Sequence, residues 1–301
     1  MSAPRPPVAP DAIASAFVTA CRAELTALKP GNVHVHAAGH GMEVTHFINA
    51  ADAAAEFVAE PALSFGMRVR AAVGNSMAVA GCNTNLGIVL LCVPLAAAAM
   101  LDAGEASLAE RMALVLGGLD ASDAYHVFAA IRAANPGGLG RSETADVAAP
   151  PAIGLVEAMR LAASRDRIAA AYANRFRDLI EDHIPELRRI EARASEAEGV
   201  SRDDVVATLY MSILSRFPDS HIRRKFGFEV AAHVQRLARS ARSSWSPLVR
   251  PDAYPAMLAL DALLKENGWN PGTSADFTVA TLFASDLAQR GGFSLLSNVA
   301  S

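Results

Sequence analysis

Apolar residues recur along most of the chain at the three- to four-residue spacing of amphipathic helices. In residues 11–28, for example, Ile13, Phe17, Cys21 and Leu25 fall on one helical face, and Asp11 can cap the segment. The same spacing, together with capping and turn residues, predicts further helices over residues 45–60, 61–79, 86–100, 107–116, 120–134, 155–197 with a break near Pro185, 203–214, 220–241, 251–265 and 274–290.

The predicted fold class is all-α. Only residues 33–36 alternate as a strand would, and this segment is too short to build a sheet. No internal repeat is visible, which excludes a solenoid. We therefore expect a single compact multi-helix domain over residues 11–301, preceded by a flexible N-terminus over residues 1–10.

Residues 86–101 form one uninterrupted apolar run, LGIVLLCVPLAAAAML. A membrane-spanning helix needs about 20 such residues. This run is shorter, contains Pro94 and ends at Asp102. We expect a helix buried in the protein core and no membrane association.

Composition narrows the function classes. The 301 residues are 52% hydrophobic and 19% charged, which excludes a disordered chain or a coiled-coil rod. The net charge of −4 provides no field that would attract nucleic acid. Three cysteines without CxxC spacing form no disulfide framework, so a cytoplasmic location is expected. The apolar surplus indicates a possible homodimer.

The first candidate site is the loop ELTALKPGNVHVHAAGH, residues 24–40. Lys29 could offer its charge to a phosphate, while Gly31 and Asn32 would let the backbone approach it, and His40 lies in the same loop. The structural alternative is that Pro30 and Gly31 merely end a helix. The histidines of this region, at positions 34, 36, 40 and 46, could also bind a transition metal, although no matching set of ligands follows at zinc-finger spacing.

The second candidate is GCNTNLG, residues 81–87, which leads into the apolar helix. Asn83, Thr84 and Asn85 are more polar side chains than one N-cap needs, so they favour contact with a ligand. Asn75, on the preceding segment, is expected to face the same space.

An acidic group surrounds the predicted turn NPGGLG, residues 135–140. Asp120 and Asp123 share a helical face, and Asp146 follows the turn. Converging carboxylates suit Mg²⁺ that bridges to phosphates, and Asp123 and Asp146 are the candidate metal ligands. The alternative to metal binding is that these carboxylates cap helices or lie in solvent, and for Asp120 the two interpretations have equal weight.

Two further segments carry charge at predicted helix starts. Arg165-Asp166-Arg167 opens or interrupts a helix, and DSHIRRKFG, residues 219–227, contains His221, Arg224 and Lys225 behind a cap at Asp219 or Ser220. Cations in the first turn oppose the helix dipole, and this unfavourable position favours anion binding.

The last segment is NPGTSAD, residues 270–276, which begins the final helix. Asn270 and Thr273 are candidate ligand contacts, and Asp276 could complete a metal or nucleobase site. Asp276 at the second or third helical position would also be favourable for the dipole alone.

Several well-known chemistries have no motif here. The chain lacks the P-loop GxxxxGK[ST], a GxGxxG after a strand, HExxH and GxSxG. The absence of a His-Asp pair argues against HD-type phosphohydrolases.

The segments KPGNV, GCNTNLG, SRDRIAAAY, DSHIRRKFG and NPGTSAD, in this order and at these separations, resemble the triphosphoribosyl-dephospho-CoA synthase family. The resemblance extends from about Glu24 to the last helix. It implies an all-α, cytoplasmic transferase that uses ATP and 3′-dephospho-CoA to make the precursor of an acyl-carrier prosthetic group and releases adenine.

One departure concerns the acceptor. Members that act on dephospho-CoA usually carry NTHKG where this chain has NTNLG, so Asn85 and Leu86 replace a histidine and a lysine. The Asn-Leu form is similar to a branch found with methanopterin- and furan-type one-carbon carriers. A transferase acting on a phosphorylated pterin or furan intermediate is therefore the alternative activity.

The resemblance also implies residue roles. Lys29, Arg224 and Lys225 are assigned to phosphates, and Glu24 is the preferred base for the attacking hydroxyl. Asp123, Asp146 and Asp276 are assigned to Mg²⁺ or to acid–base chemistry, with Asp123 and Asp276 as catalytic candidates. Hydrogen bonds to the nucleotide or acceptor are assigned to Asn83, Thr84 and Asn85. A helical binding protein without chemistry and a metal-dependent hydrolase remain the other hypotheses.

Overall fold

A computed structural model describes residues 7–37, 43–136 and 153–297, and within these ranges every regular element is helical. The all-α prediction is confirmed. Residues 33–36 make no strand, and only an isolated bridge joins His34 to Ala37. The α-helices are α1 (Pro10–Thr26), α2 (Val44–Ala59), α3 (Phe65–Ala80), α4 (Leu86–Met100), α5 (Leu108–Gly117), α6 (Ala121–Ala134), α7 (Leu155–Ala162), α8 (Arg167–Ala173), α9 (Ile184–Ser195), α10 (Arg202–Arg216), α11 (Ser220–Phe226), α12 (Phe228–Ser240), α13 (Tyr254–Glu266) and α14 (Gly272–Gly291). A π-helical turn, Leu179–His183, leads directly into α9.

The centre of the core is formed by α4, which packs against α14, α5, α3 and α2. The bounds of α4 match the prediction, and almost all of its side chains are buried. Its uniformly apolar surface is explained by neighbours on all sides. Among the described residues, no helix is long and apolar enough to cross a membrane. Val8, just before α1, is also buried and donates its N–H to the carbonyl of Ala99.

The long stretch predicted over residues 155–197 is divided before Arg167, where the sequence predicts that a helix opens or is interrupted, and again after Ala173. Asp166 caps α8 by accepting from the N–H groups of Ile168 and Ala169, and Arg175 and Phe176 end that helix with positive φ angles of 58° and 61°. The predicted break near Pro185 is wrong. Pro185 lies in the first turn of α9, and the helical stretch that begins with the π-helical turn continues through it.

The helix predicted over residues 220–241 is two helices, because Gly227 interrupts it with φ 90°. Asp219 caps α11 as predicted, and α11 ends at Phe226. The three cations of IRRKF therefore lie in the last turn of a seven-residue helix, where the dipole favours them. The argument that an unfavourable position indicates anion binding is wrong for these residues.

Candidate active site

A cavity of about 400 Å³ lies where the beginnings of four helices meet, a size typical of small-molecule sites. Its walls include the first residues of α4, α8, α11 and α14, and α1, α2, α6 and α7 complete it. Two of the four, α4 and α14, are long helices, whose free N–H groups and dipoles favour negative charge. The backbone at this position therefore favours an anionic ligand.

One side of the cavity is cationic. Arg165, Arg224 and Lys225 line it together with His221. The Arg224 guanidinium is ion-paired with Asp166 through Nη1, but its buried Nε finds no acceptor in the described part of the chain. Arg224 is thus fixed in direction and still has a hydrogen-bond donor to offer.

Asp276 is a cavity carboxylate that accepts no hydrogen bond from the described residues. It lies so close to the start of α4 that a Cβ on Gly87 would be 2.0 Å from its Oδ2. Burial raises the pKa of Asp276 well above its usual value, and the nearby carboxylates of Asp219 and Glu24 raise it further, while Arg224 lowers it. The prediction that Asp276 occupies the second or third position of its helix is wrong, since α14 begins at Gly272, and dipole capping does not explain this carboxylate.

Glu24 also lines the cavity, and it is ion-paired with Lys29, which does not line the cavity. The Lys29 ammonium is fully buried and donates to Glu24, to Oδ1 of Asn32 at 2.8 Å and to the carbonyl of Val33 at 2.8 Å. Burial raises the pKa of Glu24, an effect that the Lys29 charge opposes, and burial lowers the pKa of Lys29. Because all three ammonium protons are used, the structure does not support the predicted contact of Lys29 with a phosphate.

The turn after α1 presents Asn32 to the cavity. Gly31 has φ 81°, and a Cβ there would lie 2.8 Å from the carbonyl oxygen of Trp269, so only glycine fits. The Gly31 N–H donates to Oδ1 of Asp261 at 2.8 Å, and Nδ2 of Asn32 donates to Oδ1 of Asn270 at 2.8 Å. Asn32 and Asn270 both line the cavity as a linked pair of amides.

The polar side chains that precede α4 point in two different directions. Asn83 and Thr84 line the cavity, and the buried Oγ1 of Thr84 has no hydrogen-bond partner in the described ranges. Asn85 does not line it, because its Nδ2 donates to Oγ of Ser76 at 2.8 Å, on α3. Leu86 faces the cavity in its place.

Other predicted residues lie elsewhere. Asp123 accepts from the N–H groups of Gly66 at 2.8 Å and Asp120 at 3.3 Å and does not line the cavity. Asn75 is exposed on α3 and donates to the carbonyl of Ala71 at 2.9 Å. Thr273 is buried behind the cavity, where its hydroxyl accepts from the N–H of His221. His40 and Asp146 lie outside the described residues.

The donor set does not form a ready metal site. Among residues 7–37, 43–136 and 153–297, no group of three or more His, Cys, Asp or Glu side chains could hold a metal ion. His34 is buried against Asp261 at 3.3 Å, and His46 caps α2 by accepting from the N–H of Glu43. The metal-binding hypothesis for the histidine loop therefore receives no support from this part of the chain.

The sequence analysis missed residues whose importance depends on the fold. Asp166 both caps α8 and holds Arg224, and its position directly after Arg165 in SRDR was the available signal. Gly87 gave a weaker signal, as a glycine in the first turn of an apolar helix. The apolar cavity wall, which includes Phe47, Phe128 and Met159, gave none.

Three comparisons with known proteins place this geometry in context. A search of curated protein sequences found no significant match. A crystal structure from Archaeoglobus fulgidus, provisionally assigned as a triphosphoribosyl-dephospho-CoA synthase, is similar with a TM-score of 0.56 and 25% sequence identity, covering 80% of this chain and 97% of that one. The sequence profile of CitG, ATP:dephospho-CoA triphosphoribosyl transferase, matches residues 10–294. Since that match covers nearly the whole chain, and the fold and the motifs around the cavity agree with it, the chain belongs to the ATP:dephospho-CoA triphosphoribosyl transferase family, a family of transferases.

Proposed function

We propose that this chain transfers the ribosyl triphosphate group of ATP to a ribose hydroxyl of 3′-dephospho-CoA and releases adenine. The observation that carries the proposal is the combination, in one cavity, of the cations Arg165, Arg224 and Lys225 with the carboxylates Glu24 and Asp276. Cations with free donors suit a polyphosphate, and carboxylates with perturbed pKa values suit proton transfer.

The reaction exchanges one bond at C1′ of the ATP ribose. The acceptor oxygen bonds to C1′ as the bond from C1′ to the adenine nitrogen breaks, so the hydroxyl must lose a proton and adenine must gain one. Glu24, whose ionised form is favoured by the adjacent Lys29 charge, is the proposed base for the hydroxyl. Asp276, whose raised pKa favours the protonated form, is the proposed acid for adenine. Both carboxyl groups then return to their starting states by exchange with solvent.

Stabilisation of charge accounts for the rest of the proposed site. Positive charge develops on the ribose as adenine leaves, and the Glu24 carboxylate lies in the same cavity to stabilise it. The amides of Asn32, Asn83 and Asn270 and the Thr84 hydroxyl are proposed to bind the nucleotide or the acceptor. These groups orient the substrates, which in itself supplies much of the rate of such a transfer.

Mg²⁺ is proposed only as an ion that enters the site bound to the triphosphate. The described residues do not offer a metal site of their own, and Mg²⁺ in proteins commonly binds through substrate phosphates and one or two carboxylates while keeping several waters. No step of the mechanism above depends on it.

The test is an incubation of the purified chain with ATP, Mg²⁺ and 3′-dephospho-CoA, followed by chromatography for free adenine. We expect adenine only when both substrates are present, and we expect Asp276→Asn to abolish it. Asp286→Asn is the matched control, because Asp286 is a partly exposed carboxylate on the same helix, paired with Arg290 and away from the cavity. Binding of ATP without adenine release, in the presence of dephospho-CoA, would overturn the proposal.

A second candidate function is favoured by the position of Leu86. This apolar side chain lines the cavity where related sequences usually carry lysine, and Asn85 is turned toward Ser76 instead of the ligand. The loss of a cation there fits an acceptor with an aromatic or apolar body, such as a phosphorylated pterin or furan intermediate of a one-carbon carrier. It predicts product formation with such an intermediate and no adenine with dephospho-CoA.

A further inference from the structure

Asp219 joins two helices that carry opposite parts of the cavity. Its Oδ1 accepts from the N–H groups of His221 at 2.8 Å and Ile222 at 3.2 Å, at the start of α11. Its Oδ2 accepts from the N–H of Ser274 at 2.7 Å and from the Ser274 hydroxyl at 2.8 Å, in the first turn of α14. A single carboxylate therefore satisfies free N–H groups of two helix ends at once.

The carboxylate is itself outside the cavity. Asp219 is 2% exposed and does not belong to the cavity wall. The two helices that Asp219 connects do line the cavity. Helix α11 contributes His221, Arg224 and Lys225, and α14 contributes Asp276. A second bond supports the same junction, because the N–H of His221 also lies 3.1 Å from the Thr273 hydroxyl of α14.

From this geometry we infer that Asp219 is a positioning residue, which sets the cations of α11 at a fixed distance from the Asp276 carboxylate. The inference rests on the proposed function only in its kinetic consequence. A shift of about 1 Å between groups that must act together can cost about 100-fold in rate. Loosening of this junction should therefore affect kcat more than the KM for ATP, because the cations would still be present to bind phosphate.

Asp219 also acts on Asp276 through its charge. The charges that influence Asp276 are those of Asp219 and Arg224 around α11, Glu24 on α1 and Asp166 at the start of α8. The Asp276 charge in turn raises the pKa of Cys21, Cys92 and Lys29. After burial, Asp219 is the strongest of the influences that raise the pKa of Asp276. Removing the Asp219 charge should leave Asp276 easier to ionise.

The chain offers a matched control in Asp204. This carboxylate is also 2% exposed, accepts from the N–H of Ser201 at 2.8 Å and its hydroxyl at 2.7 Å, and accepts from the Tyr254 hydroxyl of α13 at 2.7 Å. It thus joins two helices as Asp219 does, but it does not border the cavity. Asp219→Asn and Asp204→Asn should lower the urea midpoint of unfolding by similar amounts.

The kinetic test compares these two variants in the adenine-release assay. We expect Asp219→Asn to lower kcat by about 10- to 100-fold with a much smaller change in KM for ATP, and Asp204→Asn to keep a kcat close to that of the unchanged chain. If Asp219→Asn does not fold, Ser274→Ala replaces it, since it removes only the hydroxyl donor at 2.8 Å. Equal kcat values for the Asp219, or Ser274, and Asp204 variants would overturn the inference.

A second measurement does not require turnover, so it separates this inference from the proposed function. Asp276→Asn should raise the urea midpoint at pH 7 in the unchanged chain, because it removes a half-buried carboxylate whose pKa is raised by burial and by the charge of Asp219. The gain should be smaller in the Asp219→Asn background and unchanged in the Asp204→Asn background. An equal gain in all three backgrounds would overturn the inference even if the reaction proved to be another one. A smaller gain with no adenine release would retain it and reject the proposed reaction.

Discussion

Replacement of Gly87 by alanine tests the placement of Asp276 directly. Gly87 is in the first turn of α4, and an added Cβ would lie 2.0 Å from Oδ2 and 2.6 Å from Cγ of Asp276, with Cδ1 of Ile168 at 3.0 Å. Since real Cβ atoms do not approach other atoms so closely, the Asp276 carboxylate must move in Gly87→Ala.

The expected change in stability is small, because two effects oppose each other. Alanine in place of glycine in a helix stabilises by up to about 1 kcal/mol, whereas overpacking of a buried site costs about 1–3 kcal/mol. The carboxylate is the end of a short flexible side chain and can rotate away, so the cost lies toward the lower end. We expect a net free energy of unfolding between unchanged and about 2 kcal/mol lower.

The expected change in activity is large. If the Asp276 carboxylate rotates so that its oxygens move by about an ångström or more, the proposed proton donor moves away from the substrate. This displacement should lower kcat by about 100-fold. The assay is adenine release together with urea unfolding of the same preparations. Gly74→Ala is the matched control: Gly74 is also helical, in α3, and a Cβ there meets nothing within 4 Å.

Two results would refute the reasoning. The first is a Gly87→Ala protein that is as active as the Gly74→Ala protein and stabilised by the same amount. The second comes from the cycle with Asp276→Ala, which removes the atoms that a Cβ would meet. In that background Gly87→Ala should regain its stabilising effect, and additive free energies would show that the two residues do not touch.

Three further predictions concern the charges of the site. Because Asp276 has a raised pKa in the folded chain, its contribution to stability is fully present below the unfolded pKa of about 4 and is lost as the pH rises toward the folded pKa. Asp276→Asn should therefore be more stable than the unchanged chain at pH 7. In urea unfolding, this difference in stability should vanish near pH 4. Lys29→Met should leave Glu24 buried without its partner and lower the free energy of unfolding by about 3–5 kcal/mol, most of which Glu24→Gln in the same chain should restore; no restoration would contradict the pairing. Leu86→Lys should tighten binding of 3′-dephospho-CoA measured by calorimetry if Leu86 faces the acceptor, while Leu258→Lys, at an exposed position of α13, should leave it unchanged.

Secondary structure could be predicted wherever strong local signals bound an element. The bounds of α4 were correct, because an apolar run lies between the polar residues 83–85 and Asp102. The division at Gly227 was missed, since an isolated glycine is often tolerated within a helix and the sequence does not show that this one adopts φ 90°. The interruption at Arg165-Asp166-Arg167 was predicted, and in the structure Asp166 caps the helix that begins there.

The candidate site was predictable as a group of segments but not in its details. Polar loops at helix starts identified ten of the residues that line the cavity, and they were Glu24, Asn32, Asn83, Thr84, Arg165, His221, Arg224, Lys225, Asn270 and Asp276. The directions of individual side chains could not be predicted. Lys29 lies inside the protein and Asn85 points to α3, because buried acceptors at Glu24 and Ser76 satisfy them there.

A common arrangement explains why Asp276, unlike two neighbouring carboxylates, has no hydrogen-bond donor among the described residues. One oxygen of Asp166 caps α8, and the other accepts from Arg224 of α11. In the same way, one oxygen of Asp219 caps α11, and the other accepts from Ser274 of α14. Asp276, one turn into α14, continues this series toward the start of α4, but there it meets Gly87, which has no side chain to donate a hydrogen bond. Asp166 and Asp219 thus use their oxygens to join helices, whereas Asp276 has no donor among the described residues. Even a partly buried carboxylate without a partner is costly, and we infer that the substrate supplies the partner.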